Sequence, residues 1–121
     1  VLSSKPATQT PSSAFAECVL EGRDEEGIRY LLRLSGNKLA QGIITSRNPD
    51  DSPYIINHVD VSRRHARLKS IKRRVFIEDL RSTNGASVNG HNIEGKGPVS
   101  IVTGDQIFIG SIVMTLKILL D

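Results

Sequence analysis

The chain has 121 residues, a mass of 13.2 kDa and a formal net charge of +3. This length suits one domain of ordinary size and leaves little room for a second core. Hydrophobic residues make up 38% and charged residues 24% of the chain, which excludes a disordered polypeptide. No apolar run approaches the roughly 18 residues that a membrane-spanning helix needs.

The cysteine and histidine content argues against metal and disulfide chemistry. Cys18 is the only cysteine, which excludes an intrachain disulfide and any multi-cysteine zinc site. The three histidines (His58, His65 and His91) are too far apart for a helical HxxxH pair, and no carboxylate pattern completes a metal site. We therefore expect no metal and no cofactor. The single cysteine and the lack of a secretory signal pattern predict an intracellular, cytoplasmic protein.

The N-terminal part of the chain separates into a linker and a first pair of strands. Residues 1–16 are rich in Ser, Thr, Pro and Ala, the composition of a flexible linker, and the domain is expected over 17–121. Apolar residues at alternate positions from 28 to 34 are typical of a strand. The polar segment 21–27 separates this strand from an earlier apolar run at 18–20, as a hairpin turn does.

Short apolar runs bounded by turn-forming residues continue to the C-terminus. Residues 35–38 tolerate positive φ and are expected to form a turn. Gly110-Ser111 predicts a tight turn before a last strand, 112–120, whose one wholly apolar face belongs in the core. The other expected strands are 42–45, 54–56, 66–69, 75–78, 99–102 and 106–109. Because no helix of ten or more residues is indicated, the sequence predicts an all-β antiparallel sandwich or barrel.

Positive charge is concentrated in one stretch of the chain. Its seven basic residues are Arg63, Arg64, Arg67, Lys69, Lys72, Arg73 and Arg74. An anionic partner is one interpretation, and a solvated strand edge with its turn is the other, since lysine at an edge blocks unwanted strand pairing. A nucleic-acid-binding β-domain is a further alternative. Single-strand binders present aromatic platforms, whereas this chain has three Phe, two Tyr and no Trp, so no nucleic-acid partner is expected.

Three polar segments lie at or just beyond the ends of expected strands, where loops of a rigid scaffold can meet a ligand. They are TSRN at 45–48, SRRH at 62–65 and DLRSTNG at 79–85. Their guanidinium, hydroxyl, carboxamide and N–H donors suit a phosphate ester, which has three strong acceptor oxygens and a charge of about −1.5 to −2. No nucleophile is paired with a base and no phosphate-binding P-loop is present, so the chain is not expected to be an enzyme.

In this order and at these spacings, the motifs resemble the forkhead-associated (FHA) domain family. The matching segments are SR at 46–47, SRRH at 62–65, DLRSTNGASVNG at 79–90 and GDQIFIG at 104–110. The resemblance covers roughly residues 17–120. It implies a β-sandwich of about eleven strands, of the FHA/SMAD type, whose loops at one end bind a phosphothreonine-containing protein or peptide. The implied function is a phosphorylation-dependent protein–protein interaction in signalling, by a domain that is monomeric in isolation.

The resemblance also implies which residues hold the phosphopeptide. Arg47, Ser62 and Arg63 stand at positions that contact phosphate in the family. Thr83 stands where a threonine approaches the phosphate, and Asn84 where an asparagine binds the peptide main chain. Preference for phosphothreonine over phosphoserine is a further implication.

Other positions are implied to support the site or to read its ligand. His65 corresponds to a histidine that supports the loops from inside. Turn geometry is expected from Gly85, Asn89 and Gly90. Contact with the peptide beyond the phosphothreonine is expected from Asp60, Arg64 and Arg81. Asp60 predicts a preference against acidic peptides, which the two arginines would oppose.

The sequence departs from the family pattern at two positions, and two other binding modes stay open. Ser46 stands where glycine is usual and could alter the approach of Arg47, and Ala86 stands where Thr or Ser is usual. A phosphate-independent FHA scaffold, acting through a sheet face, is the main alternative. The linker itself is a further candidate partner, because Thr8 or Thr10, once phosphorylated, could dock into the same site in cis or on a neighbouring copy.

Overall fold

A computed structural model describes residues 15–120, so residues 1–14 of the expected linker lie outside the described part. The first strand begins at Phe15, two residues before the expected start of the domain. Residues 15–120 form one short helix, α1 (Gly36–Gln41), and eleven strands. The strands are β1 (Phe15–Arg23), β2 (Arg29–Ser35), β3 (Ile43–Ser46), β4 (Tyr54–Ile55), β5 (Ala66–Ile71), β6 (Arg74–Asp79), β7 (Ala86–Val88), β8 (His91–Asn92), β9 (Val99–Ile101), β10 (Gln106–Ile109) and β11 (Ile112–Leu120).

The strands form two sheets that share one core. The first has five strands in the order β9-β6-β5-β3-β4, and only its β3–β4 pair is parallel. The second has six antiparallel strands in the order β2-β1-β11-β10-β7-β8. The predicted all-β sandwich is therefore confirmed, with the parallel pair as its one departure from antiparallel pairing in the described residues.

The core follows from the period-two pattern of the strands. In β11, Ile112, Met114 and Leu116 are buried, while Thr115 and Lys117, which face the other way, are exposed. The predicted core face does not extend to the end of the strand, because Leu120 is 61% exposed. Full burial of each such side chain contributes about 1.5–3 kcal/mol. The single thiol, Cys18 of β1, is also in this core, and burial, aided by the charge of Glu17, raises its pKa to about 11.

The structure differs from the sequence prediction in three short elements. Residues expected to form a turn after β2 instead begin α1, because Ser35 Oγ accepts a hydrogen bond from the Lys38 N–H at 3.2 Å and Leu39 is buried. Strands β7 and β8 were not predicted, since they have three and two residues and no periodic pattern. The one helix described has six residues, too few to cross a bilayer.

The register of the five-stranded sheet brings three loops to one end. Thr45 at the end of β3 pairs with Ala66 at the start of β5, which pairs with Asp79 at the end of β6. The chain after β3, the chain before β5 and the chain after β6 therefore leave the sheet side by side. These are the three polar segments that the sequence singled out.

Candidate functional site

Backbone hydrogen bonds tie the three loops to one another. The Arg47 N–H donates to the Ser62 carbonyl at 3.2 Å. The Thr83 N–H donates to Ser62 Oγ at 3.0 Å, and the Leu80 N–H donates to the His65 carbonyl at 2.9 Å. Each loop thus contacts another through its main chain, which fixes the positions from which the side chains project.

His65 connects the loops from inside the domain. Its side chain is completely buried, and its Nδ1 accepts the Ser62 N–H at 2.9 Å. Because Nδ1 is an acceptor, the proton lies on Nε2, which donates to the Gly85 carbonyl at 2.7 Å. Burial lowers the pKa of His65, although the hydrogen bond to Gly85 and the nearby Asp79 charge act in the opposite direction. The neutral ring is the form that can make both hydrogen bonds.

Asp79 organises the loop that follows β6. Its carboxylate, only 8% exposed, accepts hydrogen bonds from the Ser82 hydroxyl and from the Ser82 N–H, the latter at 3.2 Å. Ser82 Oγ in turn accepts the Gly85 N–H at 3.0 Å. This arrangement keeps Asp79, Ser82 and Gly85 inside, while Thr83 and Asn84, which lie between Ser82 and Gly85, stay exposed.

A cavity of about 390 Å³, here called the loop hollow, opens between the three loops. Its lining residues are Arg47, Asp51, Ser62, Arg63, Arg64, Arg81 and Thr83. Four of the five predicted phosphopeptide contacts are among them, as are both arginines predicted to read the peptide. The sequence analysis missed Asp51, which carries no motif and reaches the hollow through the path of the β3–β4 loop.

The loop hollow concentrates positive charge that the described residues leave unneutralised. All four of its arginines are exposed, and none forms a salt bridge within residues 15–120. Asp51 is the single carboxylate of the lining. Such a cluster attracts an anion, and guanidinium groups match oxyanions with two parallel hydrogen bonds.

Ser62 adds a neutral donor to this charge. Its Oγ already accepts the Thr83 N–H at 3.0 Å, and no acceptor for its proton occurs in the described part of the chain. A hydroxyl has one donor and two acceptor sites. The Ser62 proton is therefore available to an anion in the loop hollow.

Asn84 and Asp60 lie beside the loop hollow. Asn84 lines a neighbouring cavity of about 270 Å³ together with Gly90 and Phe108. Its Nδ2 donates to the Asp60 carbonyl at 2.9 Å, and the Asp60 carboxylate accepts the Ser111 hydroxyl at 2.5 Å. Asp60 borders neither cavity, so the structure places it as a neighbour of Asn84. Its predicted effect on peptide preference stays a prediction.

The turns after the site have the conformations that their residues favour. Gly85 has φ of +79°, Asn89 of +51° and Gly90 of +86°, all in the left-handed region. Asn89 also fastens the β7–β8 hairpin, since its Nδ2 donates to the Asp105 carboxylate at 3.0 Å and its Oδ1 accepts the Gln106 N–H at 2.9 Å.

Ser46, the departure from the family's glycine, points into its own loop. It is buried, and its Oγ accepts the Asn48 N–H and donates to the Asn48 carbonyl, both at 2.9 Å. This local turn holds the backbone on either side of Arg47. The serine is absent from the lining of the loop hollow, and the Ser-x-Asn spacing was the signal that could have predicted its role.

The fold and the cavity together define a β-sandwich whose end loops enclose a basic hollow. Residues 46–110 match the FHA domain family, and the chain belongs to that family. The FHA domain-containing protein PS1 of Arabidopsis thaliana is 34% identical over 70 residues, which is 56% of this chain. The chain spans only about 5% of the length of that relative.

Solved FHA domains have the same architecture. The FHA domain of the CT664 protein from Chlamydia trachomatis is 23% identical, with a TM-score of 0.68, over 83% of this chain and 95% of that one; this likeness concerns the fold. A domain solved in a structural and functional analysis of phosphothreonine-dependent FHA domain interactions is 26% identical, with a TM-score of 0.63. That match covers 84% of this chain and 95% of the other.

Proposed function

We propose that this domain binds phosphothreonine-containing segments of other proteins and so mediates phosphorylation-dependent interactions in signalling. The observation that carries the proposal is the loop hollow, where four arginines without ion pairs in residues 15–120 and one available hydroxyl converge. Membership of the FHA family and the likeness to a domain studied for phosphothreonine dependence support it.

In this proposal each donor has a separate task. Arg47 and Arg63 supply charge and paired hydrogen bonds to the phosphate, and the Ser62 hydroxyl donates a hydrogen bond from a neutral group. Hydrogen bonds to charged groups contribute about 1.5–3 kcal/mol each. The Thr83 side chain borders the same space. Asn84 lies beside the hollow and, in this proposal, binds the peptide main chain through its side-chain amide. The amide oxygen and the Nδ2 proton that is not bonded to Asp60 make these contacts.

Preference for phosphothreonine over phosphoserine then depends on one methyl group. Burial of a methyl contributes about 0.8 kcal/mol by transfer, and closely fitting sites reach about 1–3 kcal/mol. We expect discrimination of roughly ten- to hundredfold. A titration with matched phosphothreonine and phosphoserine peptides measures it.

The decisive experiment compares one threonine peptide with and without its phosphate by calorimetric titration. The proposal expects measurable binding only of the phosphorylated form, and loss of binding after phosphatase treatment. Equal affinity for the two forms would instead support the phosphate-independent scaffold. Binding of plain oligonucleotides with a steep dependence on salt would support the nucleic-acid alternative.

The N-terminal tail remains a candidate partner, and the geometry of β1 favours docking between copies. Phe15 pairs with Leu120, whereas Arg23, eight residues later, pairs with Val113 at the end of the sandwich that carries the site. Eight steps of strand span about 26 Å. Thr10 and Thr8 are five and seven residues before Phe15, reaches of about 17 and 24 Å, and both are shorter than the distance back to the site.

We therefore propose that a tail phosphorylated at Thr8 or Thr10 docks on a neighbouring copy, while the unphosphorylated chain is monomeric. Light scattering of the phosphorylated chain should show mass rising with concentration, and excess phosphopeptide should reverse the rise. A mass that stays that of one chain after phosphorylation would contradict docking between copies.

A further inference from the structure

A second basic surface, here called the β5–β6 strip, runs over the outer face of the five-stranded sheet. It consists of Arg67, Lys69, Ile71, Lys72, Arg73, Arg74 and Phe76. Along β5, Ala66 and Leu68 are buried, so the residues between and after them face outward. Phe76 of β6 pairs with Lys69 and faces the same way. The strip therefore joins cations to apolar side chains.

The cations on β5 do not block strand pairing at a sheet edge. β5 lies between β6 and β3 in the strand order, and both pairings are antiparallel. Arg67 and Lys69 thus project from the face of a central strand, where no edge needs protection. Of the two interpretations of the basic stretch, the solvated edge does not apply to these residues.

The strip encloses a cavity of about 440 Å³, here called the sheet hollow. Its lining residues are Gln41, Arg67, Lys69, Ile71, Phe76, Ile77, Glu78 and Pro98. Ile71, one of these lining residues, is 49% exposed. The only carboxylate of the lining, Glu78, lies 3.6 Å from Arg67. Lys69 and the three cations of the hairpin end are without a salt bridge in the described residues.

The turn between β5 and β6 gives independent support. Lys72 has φ of +50° and Arg73 of +70°, so two consecutive residues adopt the left-handed conformation. Two-residue turns of this kind strongly favour Asn-Gly, because in the left-handed region a Cβ lies too close to the backbone carbonyl, which glycine avoids and asparagine tolerates. Both residues are exposed and make no ion pair within residues 15–120. Neither residue favours this backbone conformation, but both place positive charge at the end of the strip.

We propose that the β5–β6 strip binds an acidic segment of the phosphoprotein ligand, with an apolar side chain of that segment in the sheet hollow. This inference rests on the proposed function, because the same ligand places its phosphothreonine in the loop hollow. Ala66 lies at the site end of β5, and five steps of strand lead from there to Ile71, about 17 Å away. An extended spacer of about six residues covers that distance.

The surface chemistry favours a peptide over a nucleic acid. The strip has one aromatic side chain, Phe76, and it is half-buried, so no row of rings is available for stacked bases. Ile71 and Phe76 instead suit an aliphatic side chain. Complementary charge supplies the remaining attraction, since the strip has five cations and only Glu78 beside them.

The test uses the whole chain and six ligands of defined composition. The first is a short phosphothreonine peptide. Two extended phosphopeptides add a six-residue Gly/Ser spacer and a block of four glutamates around one leucine, on the N-terminal side in one and on the C-terminal side in the other. The controls are the unphosphorylated form of each extended peptide and a single-stranded oligonucleotide of equal charge. We expect one of the two extended phosphopeptides to bind about tenfold more tightly than the short one.

The double substitution Lys72→Asn and Arg73→Gly sharpens the test, because it removes two charges and gives the turn its preferred residues. We expect its Tm to rise, its affinity for the extended phosphopeptide to fall about tenfold, at roughly threefold per charge, and its affinity for the short phosphopeptide to be unchanged. Lys117→Ala, an exposed lysine on the other sheet, is the control and should change nothing.

Three results would overturn the inference: no gain from the acidic block on either side, an unchanged affinity of the double variant for the extended peptide, or an oligonucleotide that binds the strip as tightly as the acidic peptides. Failure of the short phosphopeptide to bind would instead contradict the proposed function. In that case the unphosphorylated acidic peptides still test the strip, through the double variant.

Discussion

The loop hollow and the β5–β6 strip are both basic, but they hold their cations in different ways. In the loop hollow the loops are fixed by buried polar groups, chiefly His65 and Asp79. In the strip the cations project from regular strands and a turn, with no buried polar support. A fixed array can select the geometry of a phosphate ester, whereas exposed side chains on a sheet provide charge and apolar contact without a fixed geometry. The two regions should therefore respond differently to substitution, pH and salt.

The largest effect is expected from removal of the support beneath the loop hollow. In His65→Ala the Ser62 N–H and the Gly85 carbonyl lose their buried partner, and each unsatisfied group costs about 1–3 kcal/mol. We expect unfolding free energy to fall by about 2–5 kcal/mol, measured by urea titration. His91→Ala, at an exposed position of β8, is the control. Similar losses in the two variants would contradict a supporting role for His65.

Loss of one fixed cation should abolish most phosphopeptide binding without affecting stability. Arg47→Ala is expected to weaken binding by about 1.5–3 kcal/mol, and Arg47→Lys to recover only part of that, because lysine cannot form paired hydrogen bonds. Calorimetric titration measures both. Arg33→Ala, an exposed arginine of β2, should bind normally. If Arg47→Lys bound the phosphopeptide as tightly as the wild type, charge alone would be sufficient in the loop hollow.

Acidification should also lower the stability that His65 contributes to the domain. Because burial lowers the pKa of His65 in the folded domain below its ordinary value of 6.5, the unfolded chain takes up the proton first. The stability contributed by neutral His65 is complete above about pH 6.5 and is lost as the pH falls towards the lower folded pKa. The slope is at most about 1.4 kcal/mol per pH unit. Unfolding titrations from pH 7.5 to 5.5 should show this slope in the wild type and a flatter curve in His65→Gln.

A smaller effect is expected from restoring the family's glycine. Ser46→Gly removes the hydroxyl that closes the turn around Arg47, which should lower stability by about 0.5–1.5 kcal/mol. Phosphopeptide affinity should fall less than in Arg47→Ala, since no contact to the ligand is lost. Tighter binding by the glycine variant would mean that the serine restrains Arg47 in an unfavourable position.

The smallest effect belongs to the strip and depends on salt. Lys69→Ala should weaken an acidic extended phosphopeptide by about 0.7 kcal/mol or less at low ionic strength. The difference should vanish near 1 M salt, where the Debye length is about 3 Å. Titrations at 0.05 and 1 M salt check this. Equal salt sensitivity of the short and the extended phosphopeptides would remove the distinction between the two regions.

The sequence predicted the regular parts of this fold and most of the loop hollow. Alternation was sufficient for β11, and strand ends located the loops that hold Arg47 and Ser62. The short strands β7 and β8 are too brief to show a period. The turn made by Ser46 depends on two hydrogen bonds, and the contact between Asp60 and Ser111 joins residues 51 positions apart. Neither local propensity nor period contains that information.

Gly110 shows how the two layers meet at the end that carries the loop hollow. A Cβ at this position would clash with the Asp60 carbonyl, and the Gly110 N–H donates to the Gly85 carbonyl at 3.1 Å. The turn between β10 and β11 therefore packs directly against the segments that adjoin the loop hollow. The end with the loop hollow is a joint between both layers, so under the proposed function a single methyl group added at Gly110 would weaken ligand binding while most of the sandwich stays intact.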